Sequence, residues 1–484
     1  MLQKSPSLPT NRITMKKLLF ITMGALLSLT VCAQKIQWTS TTDQERWVQK
    51  KGPAFVTSIA SADITINTDE KLQKIDGFGG CFNEIGWEAL LALTPAEREK
   101  IMKELFSPEG ANFSFCRLPL GANDYSLSYY SCDDVAEDFA MTNFNIDRDR
   151  YILIPYIKEA MKIRPDLQLW ASPWSPPAWM KVNNHYALRR GPLKGSDNSL
   201  PKEKEVLNNA TAFRMENAYL SAYALYMSKF AQAYKKEGLN LKAINVQNEI
   251  VYSPHWSSCT WRPEDLALFI GNYLGPQFMK DSVSTEIWLG TMNTSDPNYV
   301  RTVMKNKEAA SAIKGIGFQW DAKQAVPELS KEFSQYKMMQ TESECGNGEK
   351  NWKSAEYTWS LINHYLNYGM NDYMYWNMVL DQSGKSTWDW VQNMLISVNK
   401  DTKEVIYYPE FYIMKHVSHF VQPGAFRLKT SGGKDHLAFM NPDGTVVLVL
   451  VNTADTDKKF TVAASGKSFE IVVKAKSFNS LTWK

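Results

Sequence analysis

Histidine is scarce in this chain, six in 484 residues, and no His-Glu-x-x-His stretch occurs. The commonest zinc-hydrolase signature is therefore missing, and no metal or other cofactor is expected. Cysteine is equally rare at six. Five of these, Cys81, Cys116, Cys132, Cys259 and Cys345, lie beyond the N-terminal stretch; an odd number so widely spread is neither a disulfide framework nor a zinc pattern, and two bridges are the most it allows. Charge of one sign is lacking too, since 54 Lys and Arg face 51 Asp and Glu. A nucleic-acid surface needs a concentrated basic face, so no nucleic-acid partner is expected, and no protein partner is implied. The absence of a fixed-period repeat excludes solenoids and propellers.

The chain's longest apolar run is N-terminal. Met15-Lys16-Lys17 leads into Leu18 to Val31, and Val31-Cys32-Ala33 offers small residues for cleavage. Residues 1–33 thus read as a secretory signal translated from Met15, with lipidation at Cys32 as the rival that Val31 disfavours. The run is shorter than the roughly 20 residues of a membrane-spanning helix, and nothing later is longer, so no stable membrane insertion is expected. Removing residues 1–33 takes away Lys4, Arg12, Lys16 and Lys17 and no acid, which turns the net charge from +3 to −1. A periplasmic or extracellular protein is the expectation.

What the chain does have is aromatic surface: 12% Phe, Trp and Tyr, with 16 tryptophans. Sugars present flat apolar faces rimmed by hydroxyls, and tryptophan platforms beside polar groups fit them. From residue 71 to 422, short apolar runs alternate with amphipathic helical patterns. Strands are expected at Lys74–Gly79, Phe113–Leu118, Leu167–Ala171, Ala243–Val246, Glu286–Thr291, Gly315–Gln319, Lys337–Gln340 and Asp372–Trp376. Helices are expected from Thr94-Pro95-Ala96-Glu97, a capping box, to Leu105, and over Arg148–Lys162, Glu216–Lys236, Pro263–Leu274, Trp352–Asn367 and Pro409–Phe420. Eight strand-then-helix units predict an α/β fold, a (β/α)8 TIM barrel. Residues 423–484 change to period two, with a hairpin signal at Asn441-Pro442-Asp443-Gly444. They predict a β-sandwich domain that residues 34–70, strand-like at Asp63–Asn67, complete from the other end.

Barrel enzymes carry function at the carboxyl ends of strands. Two of the eight strands are expected to end in glutamate: Ala243-Ile244-Asn245-Val246-Gln247-Asn248-Glu249 and Met338-Met339-Gln340-Thr341-Glu342. Glycoside cleavage needs one carboxylic acid to protonate the leaving oxygen and one carboxylate to meet the electron-poor carbon, and such a pair can do both. The amide of Asn248 can reach a sugar 2-hydroxyl. Glu344 and Glu84 are the rival carboxylates.

These residues resemble glycoside hydrolase family 30, the family of lysosomal glucosylceramidase and of bacterial and fungal β-1,6-glucanases. The likeness runs through Gln73-Lys74-Ile75-Asp76-Gly77-Phe78-Gly79-Gly80, Ala171-Ser172-Pro173-Trp174-Ser175-Pro176-Pro177-Ala178-Trp179-Met180-Lys181, Val246-Gln247-Asn248-Glu249, Thr341-Glu342 and Tyr375-Trp376-Asn377. The resemblance implies Glu249 as acid/base and Glu342 as nucleophile of a retaining double displacement, and puts Arg117, Asp124, Trp174, Asn248 and Trp376 in the sugar subsite, where Arg117 can orient the nucleophile; Trp320 is a further substrate-binding candidate. Trp179 is expected to pack, and Gly77, Gly79 and Gly80 to serve turns. One departure stands out: a His-Trp-Tyr stretch of the lysosomal enzyme is Gln319-Trp320-Asp321 here. With Trp256, Trp261, Trp388 and Trp390 as outer platforms, a β-1,6-glucan is the preferred substrate. Glucosylceramide or another β-glucoside is second and xylan third; a saccharide-binding protein without catalysis is the non-enzyme alternative.

Overall fold

The computed structural model describes residues 35–56, 61–192 and 196–484. The expected secretory signal at 1–33, with Cys32, lies outside them. Eight strands close into a barrel: β1 (Gly77–Cys81), β2 (Phe115–Leu120), β3 (Gln168–Pro173), β4 (Leu241–Asn245), β5 (Glu286–Met292), β6 (Ile313–Gln319), β7 (Lys337–Glu342) and β8 (Asp372–Asn377). Neighbours are parallel throughout, and β8 pairs with β1 to complete the ring. Helices cover the outside and side chains fill the inside, which explains why β2 and β8 are buried along their whole length.

Inside the barrel, Phe115, Trp170, Ala243, Trp288, Met339 and Met374 form one apolar plug. Side chains alternate along a strand, so the next inward residue above Phe115 is Arg117, above Trp170 is Ser172 and above Met374 is Trp376. Gly315 of β6 makes room for the plug, since a Cβ there would stand 2.3 Å from the Trp288 ring. Gly77, Gly79 and Gly80 lie within β1 and not in a turn as expected. Their role is close approach: a Cβ on Gly79 would come within 2.0 Å of the Phe115 carbonyl oxygen.

Residues from both ends of the chain build the second domain. A nine-stranded sheet runs in the spatial order 467–473, 458–464, 64–74, 426–431, 436–440, 446–452, 477–483, 37–42 and 48–50. It curls into a sandwich around Ile64, Leu428, Leu448, Val462, Phe469 and Leu481. Lys74, expected to open the first barrel strand, ends the sandwich strand Ile64–Lys74 opposite Phe426, because that backbone pairs with its sandwich neighbour. Asn441 to Gly444 turn between 436–440 and 446–452 as the residue pattern predicts, with Gly444 at φ +83°.

The expected helix at 148–162 is two helices, Asp147–Tyr151 and Leu153–Ile163, broken at Ile152. Helix Pro95–Phe106 begins as its sequence directs. Thr94 Oγ1 accepts from the Glu97 amide at 3.3 Å, and Glu97 Oε2 accepts from the Thr94 amide at 3.0 Å. Thr94→Ala removes one half of this exchange, and a loss of about 1 kcal/mol of stability is expected in denaturant melts. A change below the resolution of the melt would show that helix packing alone sets the helix start.

All five described cysteines are buried as free thiols. Among the described residues no helix is long and apolar enough to cross a membrane.

Candidate active site

The carboxyl ends of the strands surround a cavity of about 530 Å³. Glu342, the last residue of β7, is nearly buried, and its Oε2 accepts hydrogen bonds from Arg117 Nη1 and from Gln319 Nε2 at 2.9 Å. Arg117 in turn donates to Ser172 Oγ at 2.8 Å and to Asn248 Oδ1 at 2.6 Å. Its guanidinium lies against Trp174 at 4.3 Å, Trp170 at 4.9 Å and Trp376 at 5.2 Å from the ring centroids. A fully buried cation is tolerable only when paired, and here one carboxylate and three ring faces answer it.

Glu249 stands across the mouth. β4 stops at Asn245, so Glu249 is not at a strand end; it lies on the turn that follows, in the left-handed region at φ +49°. Bonds to both flanking strand ends hold that turn. The Asn248 amide donates to the Pro173 carbonyl at 2.7 Å, the Gln247 amide to the Gly290 carbonyl at 2.9 Å, and the Glu249 amide to Thr291 Oγ1 at 3.2 Å. Asn248 Oδ1 receives Arg117, Gln319 and Thr291 together, which fixes the amide so that Nδ2 is the donor left for a ligand.

The two carboxyls differ in what surrounds them. Burial pushes the Glu249 carboxyl well above its ordinary range, and the nearby negative charges of Glu342 and Asp124 push it further. Burial also raises Glu342, but the Arg117 guanidinium and the Gln319 amide oppose the rise. The pair therefore holds its charge on Glu342 and its proton on Glu249, a division suited to proton donation by one and attack or charge stabilisation by the other.

Asp124, on the loop after β2, and Trp174, just beyond β3, wall one side of the cavity. Burial, then Glu342, lifts the Asp124 carboxyl to about 8, and its Oδ1 is a buried acceptor with no protein partner, so a ligand hydroxyl would complete it. Asn248 and Trp320 also line the cavity. Arg117 and Trp376, expected in the sugar subsite, are both buried: Arg117 lies under Glu342 and orients it, and Trp376 packs on Trp174 with centroids 5.3 Å apart.

The rival carboxylates are engaged elsewhere. Glu84 is buried with both oxygens held by Arg148 and by the Leu127 amide, and Glu344 accepts from the Tyr357 hydroxyl outside the cavity. Trp256 and Trp390 line the outer cavity, 5.5 Å apart. Trp261 and Trp388 do not. Trp261 is wholly buried against Phe213 and Phe269, and Trp388 packs on Tyr129. Trp179 packs beside Phe139 and Tyr219. Gln319 and Ser172 escaped the sequence reading as members of the site, although Gln319 ends β6 and a polar strand end was the signal to follow.

A family model described as the glycosyl hydrolase family 30 TIM-barrel domain matches residues 75–421, and one for the family 30 beta sandwich domain matches 424–481. A Caenorhabditis elegans protein named putative glucosylceramidase 1 is 30% identical over 415 residues, 80% of this chain and 76% of its own. An Aspergillus fumigatus protein named endo-1,6-beta-D-glucanase neg1 is 28% identical over 421 residues, 81% of this chain and 80% of its own. The solved structure of the endo-beta1,6-glucanase BT3312 superposes with a TM-score of 0.78 at 26% identity, covering 93% of this chain and 99% of that one. With barrel, sandwich and carboxylate-lined mouth agreeing, the chain belongs to glycoside hydrolase family 30.

Proposed function

We propose that the protein is a retaining β-glycosidase in which Glu342 is the nucleophile and Glu249 the acid/base, and that its substrate is a β-1,6-glucan cleaved internally. The observation that carries the mechanism is the unequal setting of the two carboxyls: Glu342 is aimed and charge-balanced by Arg117 and Gln319, while Glu249 has no cation on it and is driven to hold a proton.

In the first step Glu342 attacks the anomeric carbon as Glu249 gives its proton to the departing glycosidic oxygen. In the second, Glu249 takes a proton from water, which displaces Glu342 and returns the β configuration. Asn248 Nδ2 is placed to bind the sugar beside the reacting carbon, and Asp124 to bind two hydroxyls. The test is the anomer first released, followed by proton NMR on a β-linked oligosaccharide. A β product is expected, and an α product would overturn the double displacement.

The choice of glucan rests on the outer cavity. Beyond the carboxylates it is lined by Asn208, Asn209, Asn293, Thr294 and Ser295, with the rings of Trp256 and Trp390. Amides, hydroxyls and ring faces suit further sugar units better than acyl chains. The name of the fungal relative agrees. Glucosylceramide is the second reading, favoured by the name of the nematode relative, and incubation with β-1,6-glucan and glucosylceramide side by side separates the two. The leader pattern at Met15 to Ala33 places the enzyme, on this reading, outside the cytoplasm.

Gln319 carries a further expectation. Gln319→Leu removes the neutral donor on Glu342 and leaves its oxygen to Arg117 alone. A fall in kcat of about 10- to 100-fold is expected, with the acid side of the pH profile moved upward because the carboxylate loses a stabilising hydrogen bond. An unchanged profile would assign Gln319 to packing only.

A further inference from the structure

The charge of the cavity is one-sided. Asp124, Glu249, Asp321 and Glu342 line it, and among the described residues no Lys, Arg or His does. Arg117 answers Glu342 from beneath. Two cations stand at its rim without lining it: the Lys323 ammonium lies 4.9 Å from the centroid of the lining Trp320 ring, and the exposed Arg189 bears on the lining Tyr252 phenol.

Asp321 differs from the other three acids. It is exposed, on the short turn Trp320–Gln324 that follows β6, and its neighbours engage its backbone only, Ser295 Oγ donating to the Asp321 carbonyl at 2.7 Å. Asp321 lines the cleft, and among the described residues its carboxylate has no ion pair and no hydrogen bond. Its charge also contributes to the upward push on Glu249. In glycoside cleavage the acid stands on the leaving-group side of the bond, so a carboxylate felt by Glu249 is felt by the aglycone as well.

We propose that Asp321 is a specificity-determining residue that makes the cleft select by aglycone charge, favouring neutral and amino-bearing saccharides and rejecting those with a carboxylate or sulfate near the cleaved bond. The inference rests on the glycosidase reading above. A cleft with low-dielectric walls focuses the field of an unpaired charge, and a like charge a few ångströms away is disfavoured on the order of tenfold at low salt. The effect fades as the screening length shrinks.

Three aryl β-glucosides that differ only in a ring substituent, neutral, carboxylate-bearing or aminomethyl-bearing, test this with the full chain. kcat/KM is measured at about 0.01 M and about 0.5 M salt. The ratio of each variant to wild type on one substrate cancels the intrinsic differences between leaving groups. In wild type the aminomethyl glucoside should gain and the carboxylate glucoside lose on lowering the salt, about tenfold between them. Asp321→Asn should compress that spread, Asp321→Lys invert it and Asp321→Glu preserve it; Asp321→Ser replaces the asparagine variant where that does not fold. A spread that Asn or Ser leaves at its wild-type size, or no spread in wild type, overturns the assignment of Asp321. No cleavage of the neutral aryl glucoside and of the glucan together would overturn the glycosidase reading instead.

Discussion

Glu342→Gln is expected to abolish hydrolysis, with kcat lowered by about four to six orders of magnitude on every substrate. The substitution keeps the shape of the side chain, and its amide oxygen can still accept from Arg117, so the barrel should remain folded. What disappears is the electron pair that forms the bond to the anomeric carbon. No other carboxylate is placed to replace it: Glu344 is held outside the cavity by Tyr357, Glu84 is enclosed by Arg148, and Asp124 is a weaker candidate, its carboxyl lifted to about 8 by burial and by Glu342. Turnover by purified variant and wild type, compared after matching their thermal melts, checks this. Residual activity above about one percent in a folded variant would remove Glu342 from the nucleophile's role. Saccharide binding that survives alongside lost turnover would separate an enzyme from a protein that only binds sugars.

Glu249→Gln should have the second largest effect, and a selective one. Loss of a general acid costs about 10²- to 10⁴-fold where the leaving oxygen needs a proton. A dinitrophenyl glucoside, whose leaving group needs none, should lose far less in its first step and then stall as a glycosyl-enzyme. Azide, a nucleophile that needs no base, should release it as the β-glycosyl azide. Wild-type rates should fall at low pH as Glu342 takes up a proton and at high pH as Glu249 gives one up. Both groups are shifted upward by burial, so the active window lies above the ordinary carboxylate range, and in Glu249→Gln the high-pH fall should vanish. Uniform loss across leaving groups, with the high-pH fall retained, would place the acid elsewhere.

The barrel was legible because each strand is buried on both faces and therefore reads as a short apolar run, with a helix pattern between one run and the next. The pair Glu249 and Glu342 was legible because function in such barrels sits after strands. Sequence could not say which tryptophans face the cleft. Trp256 and Trp261 are five residues apart, yet one lines the cavity and the other is enclosed by Phe213 and Phe269, because the segment between them follows neither a helical nor an extended period. Gln319 escaped for another reason. A neutral amide at a strand end is a weak signal on its own, and its part becomes plain when Glu342 of the next strand and Asn248 of the β4 turn are brought to the same nitrogen. The resemblance puts Arg117 in the sugar subsite and its chemistry allows it to orient the nucleophile; alternation along β2 brings it beneath the carboxylate of Glu342.

The interleaving of the two chain ends in the sandwich has a consequence for biosynthesis. Strand 37–42 pairs along its whole length with 477–483, the last strand of the chain, and strand 64–74 takes its partners from 426–431 and 458–464. During translation the first segments therefore emerge some 400 residues ahead of their partners, and the ribosome must deliver the entire barrel before they can be capped. Until then Trp38, Ile64 and Ile66 have no sheet to join. The nascent chain depends on whatever shields a waiting β-edge, and loss of strand 477–483 would leave strand 37–42 with 48–50 as its one remaining partner.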